Sequence, residues 1–286
     1  MARATVDPGE SVPKTTSFGI VARNAATAIV LRRGPTRHTR LLRWDLRDDT
    51  VHAGQWLIGT VEHGACGLSP SGELFVYSAR KGPRRFTAVS RPPYFTALAF
   101  WEERLPWTGG GFFAGDDHVV LGVTHPPDEG SLPRGLTVSE VWSYFPWTGN
   151  GRSRDTFGDA ISKAPEARQG WSPAGDGRRV QRANPRWRVS TLERDAPPGR
   201  AGAYRVVRAT PRGTAPEVHD LGLLDWADWG HDGSLLFGRQ GCLYRQRTKE
   251  RFADWSPPSL VVDLTGDRFE RIVAPKHARE WPRYRK

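Results

Sequence analysis

Two pairs of aspartates are the residues whose types and spacing best suit acid–base chemistry in this chain. Asp116 and Asp117 are adjacent, and Asp225 and Asp228 stand three positions apart. Two carboxyl groups that face each other across a sugar can serve as general acid and as base or nucleophile in glycoside hydrolysis. Adjacent aspartates are also typical of turns, and Asp228 lies among tryptophans, as a strand-edge residue would. A glycoside-hydrolase-like enzyme is therefore kept as an alternative function.

No other arrangement of reactive residues in the sequence indicates catalysis or a metal. The histidines form no His-x-His or His-Glu-x-x-His pattern, and Cys66 and Cys242 stand far apart. Neither a Gly-x-Ser-x-Gly nucleophile motif nor a Gly-x-x-x-x-Gly-Lys phosphate loop occurs. The glycine run at residues 109–111 precedes strand-like phenylalanines, so it lacks the helix N-terminus that binds phosphate. We therefore assign no catalytic, metal-binding or cofactor-binding residue and expect no cofactor.

Two similar loops carry the residues best suited to bind a protein partner. Residues 105–111 and 145–151 share a Pro-Trp-Thr-Gly core that contains Trp107 and Trp147. Because Pro fixes φ before each ring and Gly lets the chain reverse after it, each Trp is expected at the apex of a stiff loop. Interfaces favour such rigid aromatic anchors. We predict that both rings are presented to a partner on one face of the fold; the alternative is that each fills a seam in the core.

The chain is strongly basic, which indicates acidic partners. It contains 36 Arg and 6 Lys and has a formal net charge of +11. The cations are densest at residues 32–47, 178–188 and 276–286, and each of these regions contains a Trp. Cations beside aromatic rings bind nucleic-acid strands without sequence preference, but cations spread without long blocks also fit a solvated surface. Weak, non-specific nucleic-acid binding is a second alternative, and Arg43 and Arg47 are predicted partner contacts.

A recurring turn indicates how these residues are positioned. An apolar or aromatic residue, a tight polar turn and a short apolar strand follow one another at residues 68–77, 113–121, 171–180 and 229–237. Gly permits the positive φ that such a turn requires, and Asp or Ser bonds its backbone. Four copies of a turn between successive strands predict an all-β fold that is built from repeated blades.

The spacing of these turns predicts a β-propeller of five blades, each with four antiparallel strands. The turns recur every 45–59 residues, and propeller blades usually span about 40–50 residues plus their loops. We expect a flexible segment at residues 1–16, the propeller at 17–275 and a basic tail at 276–286. A ring of blades must close, and we expect strand 17–22 to close it beside the last strands near residues 260–262.

The Pro- and Gly-rich stretch at residues 195–202 marks either a loop or a domain boundary. Strand patterns resume at once on both sides of it. We therefore predict a long loop within the fourth blade. The alternative is a linker between two separate β-sandwiches.

The turn resembles the blades of TolB-type and WD-repeat propellers, whose inner strand ends in a Trp-Ser-Pro-Asp-Gly-like turn. The nearest copy is Trp-Ser-Pro-Ala-Gly at residues 171–175. This resemblance implies the architecture alone, because propellers host unrelated activities. Residues 29–120 also resemble an uncharacterised bacterial protein family, a resemblance that implies no activity. The motifs that carry it are Arg-Arg-Gly-Pro at 32–35, Gly-Gln-Trp at 54–56, Leu-Ser-Pro at 68–70 and Pro-Pro-Tyr-Phe at 92–95.

Together these patterns predict a non-enzymatic propeller that serves as a protein-interaction platform. A rigid scaffold with many loops suits that role. Enzyme activity is left open, with the central channel as the place for the glycoside-hydrolase-like alternative. The expected partner is a protein of unknown identity, with nucleic acid as the weaker alternative and no membrane. The first residues lack a signal-peptide core, so a cytoplasmic location in a bacterial cell is expected.

Overall fold

The computed structural model describes residues 15–34, 37–103, 108–122, 132–133, 135–141, 167–175, 178–211 and 214–282, and it shows an all-β protein. The first sheet contains the antiparallel strands β1 (Thr16–Val21), β2 (Thr27–Arg33), β3 (His38–Asp45) and β4 (Val51–Ile58). The second contains β5 (Thr60–Val61), β6 (Gly67–Leu68), β7 (Phe75–Lys81), β8 (Arg84–Ser90) and β9 (Ala97–Glu103). Both β5 and β6 pair with β7, and a 3-10 turn at His63–Ala65 separates them. The inner strand of this sheet is therefore broken in the middle.

The other three sheets follow in chain order. The third contains β10 (Gly111–Phe113), β11 (His118–Leu121) and β12 (Thr137–Glu140). The fourth contains β13 (Ser172–Pro173), β14 (Val180–Ala183), β15 (Ser190–Arg194), β16 (Gly202–Arg208) and β17 (Glu217–Leu224). The fifth contains β18 (Trp226–Trp229), β19 (Leu235–Arg239), β20 (Cys242–Gln246) and β21 (Ser259–Asp263). The predicted set of four antiparallel strands is not uniform: β12 runs parallel to β11, because a long crossover and not a hairpin joins them.

Each of the four predicted turns joins two adjacent antiparallel strands of one sheet, namely β6 and β7, β10 and β11, β13 and β14, and β18 and β19. In the second sheet, Gly72 has a φ of +76°, and its N–H donates to the carbonyl of Ser69 at 2.9 Å. In the fifth sheet, Gly233 has a φ of +82°, and the Asp232 carboxylate accepts the Ser234 hydroxyl at 2.6 Å. The corresponding turn of the first sheet, at residues 22–26, contains neither Gly nor Asp.

The first sheet packs face to face with both the second and the fifth sheets. Because side chains alternate along a strand, Ile20 faces the second sheet, where it packs with Phe75, and Val21 faces the fifth sheet, where it packs with Trp226. Similar clusters join the second sheet to the third and the fourth to the fifth. The Arg168 guanidinium, just before β13, lies 5.3 Å from the ring centroid of Phe112 in β10. Sheets that pack in this cyclic order form a β-propeller.

Strand β1 is the inner strand of the first sheet, so the predicted closure by pairing near residues 260–262 is wrong. It pairs with β2, whereas β21, which contains those residues, pairs with β20. The reason is burial. Ile20 and Val21 are 1% and 3% exposed, which requires a sheet on each side of β1, whereas Leu260 on the outer strand is 57% exposed. The predicted domain limits stay predictions.

Hydrogen bonds link neighbouring turns around the ring. They join the fourth sheet to the fifth, the fifth to the first, the first to the second and the second to the third. Asn184 Nδ2 donates to Gly233 O (2.9 Å), His231 Nε2 to Ala22 O (2.7 Å), Asn24 N to Pro70 O (2.8 Å) and Ser71 N to Asp116 Oδ1 (2.7 Å). Loops between successive strands therefore link adjacent sheets as well as reversing the chain.

The chain after β21 forms a strap, residues 264–282, that crosses the first three sheets. Gln55 Nε2 of β4 donates to Ile272 O at 3.0 Å, and Arg91 Nη1 donates to His277 O at 3.1 Å. Trp281 packs on the cluster between the second and third sheets. The described part of the predicted basic tail, residues 276–282, is thus packed on the propeller.

We predict that Gly19→Ala destabilises the ring where its first and fifth sheets meet. A Cβ at Gly19 would lie 2.6 Å from Cε2 of the buried Trp226 ring, so the two sheets would have to separate. The expected cost is about 1–3 kcal/mol in the free energy of unfolding, measured by urea denaturation. The matched control is Gly266→Ala, since no heavy atom lies within 4 Å of a Cβ there. Equal stabilities of the two variants would contradict the packing.

Candidate functional site

The predicted partner contacts fall in different places. Trp107 and Trp147 lie outside the described residues, so their predicted role stays a prediction. Arg43 is half-buried and donates Nη2 to Glu73 Oε1 at 3.0 Å, which links the first sheet to the second. Arg47 is exposed and bonds to Asp45 in its own turn, where this hydrogen bond lowers the pKa of the carboxyl. Neither arginine is shown in contact with a partner, and that role also stays a prediction.

The four candidate acids for glycoside hydrolysis do not converge, so the predicted pairs are wrong as a catalytic site. Asp116 accepts the Ser71 N–H in a blade turn, and Asp117 is exposed in the same turn. Asp225 accepts N–H groups of Ser17 (3.3 Å) and Gly241 (3.2 Å) between the first and fifth sheets. Of the four, Asp228 alone lines the central cavity described below. A carboxyl pair across a substrate is therefore not assembled from them.

The basic region around β2 and β3 contains arginines that belong to the core. Arg32 is 2% exposed and donates Nη2 to Asp267 O at 3.0 Å, and burial lowers its pKa. Arg40 donates Nη1 to Asp267 Oδ2 at 3.0 Å. Both guanidinium groups lie over the Trp56 ring, at 5.3 and 5.4 Å from its centroid. Because these two cations hold the strap on the first sheet, they are not available to phosphates, which removes two of the six arginines at residues 32–47 from the nucleic-acid alternative.

An exposed apolar patch lies beside these arginines, and we call His38, Trp56, Ile58 and Phe269 the first-sheet patch. The Phe269 ring lies 5.0 Å from the His38 ring and 6.2 Å from the Trp56 ring, measured between centroids. Ile58 is directly opposite His38 in the β3–β4 register. Ile58 is 50% exposed and Phe269 is 49% exposed. Strand β4 and the strap thus present contiguous large side chains to solvent.

A cavity, which we call the central cavity, lies where the first, second, fourth and fifth sheets meet. Its aromatic walls are Phe18 of β1, Trp171 before β13, Tyr204 of β16 and Trp226 of β18. Its polar lining includes His63 of the broken inner strand, Arg194 at the end of β15, and Asp228 of β18. The cavity encloses about 420 Å³ that no protein atom fills, counting open solvent at its mouth, but the centre of a water molecule can move through only about 20 Å³.

The loop at residues 195–201 crosses from the fourth sheet over this cavity, and we call it the lid loop. It joins β15 to β16, which confirms the predicted loop within the fourth blade. Pro198 lines the cavity, and a Cβ at Gly199, whose φ is +75°, would lie 2.6 Å from Cβ of His63. The Ala203 N–H donates to Asp195 Oδ1 at 2.8 Å at the base of the loop. The second and fourth sheets therefore meet across the mouth of the cavity.

The charges around the cavity are fixed by one buried ion pair and one stacked cation. Asp228 is 1% exposed and accepts hydrogen bonds from Arg182 and from the Trp229 N–H. Burial raises the pKa of Asp228, while Arg182 and Arg194 oppose that rise. The Arg194 guanidinium lies 4.9 Å from the centroid of the Trp171 ring and donates to the Ala196 carbonyl in the lid loop.

His63 and Cys66 complete the polar lining. The His63 ring packs edge-on against Phe18, with centroids 5.1 Å apart. Loss of water and, to a smaller extent, the positive charge of Arg33 lower the pKa of His63 to about 4. Burial raises the pKa of Cys66, so its thiol is not a reactive thiolate. Among the described residues, no three His, Cys, Asp or Glu side chains come together as a metal-binding group.

Two signals in the sequence could have located these sites. Trp56 belongs to the Gly-Gln-Trp motif at residues 54–56, but its contact with Phe269 joins positions more than two hundred residues apart, which a local motif does not predict. The cavity residues come from separate sheets, whereas the predicted turns indicate only which strands are adjacent within one sheet. Trp171, which begins a predicted turn, and Trp226, which lies in β18, are the two cavity residues that their type and position in the sequence could have marked.

Comparisons with known proteins give no family for this chain. No protein-family model and no curated protein match it. Among solved structures it is similar to the β-propeller domain of Cps50 (Swd1) from Myceliophteria thermophila, at 10% identity and a TM-score of 0.27, over 86% of this chain and 70% of that one. A TM-score this low carries no argument, and the fold stands on the sheets and packing of the chain itself. In the described part of the chain, no helix has the length and apolar character needed to cross a membrane.

We predict that His63 makes the fold less stable as the pH falls. Its folded-state pKa of about 4 lies below the ordinary value of about 6.5, so the unfolded chain takes up the proton first. The contribution of His63 to the free energy of unfolding is therefore fully present above pH 6.5 and is lost as the pH falls from 6.5 towards 4. Between pH 7 and pH 5, the free energy of unfolding should fall by about 2 kcal/mol more in the wild type than in His63→Leu. Urea denaturation at the two pH values measures this difference.

His219→Leu is the matched control for this experiment. His219 also contacts aromatic rings, Phe252 and Trp255, but lies on the outer strand β17. This variant retains His63 and should keep the wild-type pH dependence. A His63→Leu variant with that same pH dependence would show that the ring is not desolvated as described.

Proposed function

We propose that this propeller is a non-enzymatic platform that binds a protein partner through the first-sheet patch. The observation that carries the proposal is the exposure of Ile58 and Phe269 within one contiguous group of large side chains. Covering such a group removes apolar surface from water, which lowers the free energy. Exposed apolar patches with polar rims are typical of protein-binding surfaces. An aromatic ring at the centre is also the kind of residue that dominates interface energies.

The patch is held in place before any partner arrives. Trp56 lies under two guanidinium groups, those of Arg32 and Arg40, and Asp267 binds both of these arginines. These bonds hold the backbone of the strap in place, and so does the hydrogen bond that Gln55 Nε2 donates to Ile272 O. A surface that is already ordered loses little conformational entropy on binding, which favours its use as a docking site.

The charges around the patch indicate an acidic partner. Arg268 and Arg271 are exposed on either side of Phe269 in the strap, and Arg37 is exposed next to His38. The exposed carboxylate beside Phe269, that of Glu270, lies 3.9 Å from the guanidinium of Arg40. Together with the net charge of +11, these cations favour a segment that places Asp or Glu beside an apolar side chain. The proposed occupant is therefore a protein segment with an apolar anchor and acidic neighbours.

The two Pro-Trp-Thr-Gly loops remain part of this proposal as a second contact region. Trp107 and Trp147 were selected for the same property, a ring on a stiff loop, that Phe269 has on the strap. Arg43 and Arg47 remain proposed partner contacts on the first sheet. Each of these residues can be tested with the peptides described next.

We predict that Phe269→Asp abolishes binding of peptides that the wild type selects from a random-peptide library. The expected selected sequences contain one aromatic or branched apolar residue beside Asp or Glu. Loss of the central anchor and addition of a like charge should weaken their binding by about 30-fold or more, measured by fluorescence anisotropy. Replacing a half-exposed ring should leave the melting temperature nearly unchanged.

The matched control is Phe100→Asp. Phe100 is 57% exposed on β9 of the second sheet and stacks on Phe86, so it is a similar ring away from the patch. This variant should bind the selected peptides as the wild type does. Equal losses in both variants, selection of basic peptides, or recovery of nucleic acid alone as a bound species would each refute the proposal.

A further inference from the structure

A group of exposed cations and one exposed ring lies where the first and second sheets face each other, and we call Arg33, Lys81, Arg84 and Phe100 the basic edge. We propose that it binds single-stranded nucleic acid, with phosphates on the three cations and a base on the Phe100 ring. The basic edge and the first-sheet patch are on opposite faces of the first sheet. Nucleic-acid binding here therefore does not depend on the proposed protein partner.

The alternation of side chains along β2 turns Arg33 towards the second sheet. Leu31, two positions earlier, packs in the cluster that joins the first sheet to the second, and side chains two apart in a strand share a face. Arg33 also lies close enough to His63 of the second sheet to lower its pKa. Leu57 of β4 packs against the same cluster, so its neighbour Ile58, in the first-sheet patch, faces the other way.

The hairpin of β7 and β8 turns two cations towards the first sheet. Lys81 and Arg84 are directly opposite each other in its register. Ala79, two positions before Lys81, belongs to the cluster between the two sheets, and Phe86, two positions after Arg84, packs against it. Both cations therefore continue the face that looks at the first sheet, and the Arg84 side chain is 81% exposed.

The ends of the two hairpins lie side by side at Gly59. The Gly59 N–H donates to the carbonyl of Arg37, beside β3, at 2.7 Å. A Cβ on Gly59 would collide with the carbonyl oxygen of Arg80 in β7, and Thr60 is opposite Arg80 in the register. Cations that are far apart in the sequence are thus brought to one edge of the ring.

The charge at this edge favours an anion. Within the described part of the chain, neither Arg33 nor Lys81 forms an ion pair. Arg84 Nε lies 4.0 Å from Glu102 Oε1, but both side chains are exposed, so this pair is weak. The other nearby carboxylates are directed at other groups: Glu62 acts on Cys66, Glu103 accepts the Thr87 hydroxyl, and Asp267 and Glu270 lie beside Arg40.

The Phe100 ring distinguishes this edge from a cationic surface alone. Phe100 is 57% exposed, and it is opposite Ala88, whose side chain belongs to the cluster between the two sheets. It therefore shares a face with Arg84, and it stacks on Phe86 with centroids 5.1 Å apart. Proteins that bind single strands combine cations for the phosphates with rings on which bases stack. A duplex keeps its bases stacked on one another, so it would leave Phe100 without a base.

A fluorescein-labelled oligothymidylate of about 15 nucleotides tests the site on the full chain by fluorescence anisotropy at several salt concentrations. The wild type should bind it, and binding should weaken as salt rises, because phosphate contacts release counterions. Arg33→Ala, Lys81→Ala and Arg84→Ala should each weaken binding about fivefold or more. Each should also lower the slope of log affinity against log salt by about 0.7, the value for one phosphate of a single strand.

Two further variants separate the parts of the site. Phe100→Leu should weaken binding about fivefold or more and leave the salt slope unchanged, because it removes stacking and no charge. Glu102→Gln should strengthen binding about twofold, because it removes the carboxylate beside Arg84. A gain in affinity is not an effect that damage to the fold would produce.

Lys249→Ala is the matched control, because Lys249 is an exposed lysine in the connection between β20 and β21 of the fifth sheet. It and Phe269→Asp, which disrupts the first-sheet patch, should both bind the oligonucleotide as the wild type does. The assignment is overturned if no binding occurs at low salt, if Lys249→Ala and Lys81→Ala lose equal affinity, or if Phe100→Leu or Glu102→Gln keeps the wild-type affinity. It is also overturned if a duplex binds as tightly, or if polyglutamate or vesicles of anionic lipid compete as well as unlabelled oligonucleotide.

Discussion

The first sheet is buried on both faces, and the rest of the structure depends on that constraint. One set of its side chains packs on the second sheet and the alternate set on the fifth, although the fifth sheet comes from the far end of the chain. A flat stack of five sheets would leave one face of the first sheet in water, so the stack must curve into a ring. Close approach at Gly19 and the hydrogen bond from His231 to Ala22 are local consequences of that closure.

The repeated turns of the fold could be predicted from the sequence, whereas the pairing of β1 and the path of the strap could not. Blade turns with Gly and Asp were recognised because their chemistry is local. The first turn, residues 22–26, lacks both residues, so β1 was taken as a spare strand and its pairing was misassigned. The parallel strand β12 was missed for a related reason: a crossover has no short-range signature, unlike a hairpin. The end of the strap, from residue 276, was predicted as a basic tail because its apolar contacts, such as that of Trp281, are isolated in sequence.

The same contrast applies to the candidate sites. Trp107 and Trp147 were selected from a visible motif, whereas the first-sheet patch joins β4 to a segment near the C-terminus. Charge was the least informative pattern. Arg32, Arg40 and Arg182 were counted as surface cations, yet each one neutralises or covers a specific group within the fold. Arginine is suited to this use because its guanidinium is weakly hydrated and stacks on rings, so a basic composition here reflects internal contacts as well as recognition.

The strap has a consequence for how the protein is made. It follows the fifth sheet in the sequence and fastens the first three, so the earliest sheets are fastened only after all five sheets have left the ribosome. Until then a nascent chain exposes one apolar face of its first sheet. Such a face is prone to aggregation during synthesis, and chaperones would be expected to bind it. Premature termination before the fifth sheet would therefore yield an open ring with an uncovered face on the first sheet instead of a smaller propeller.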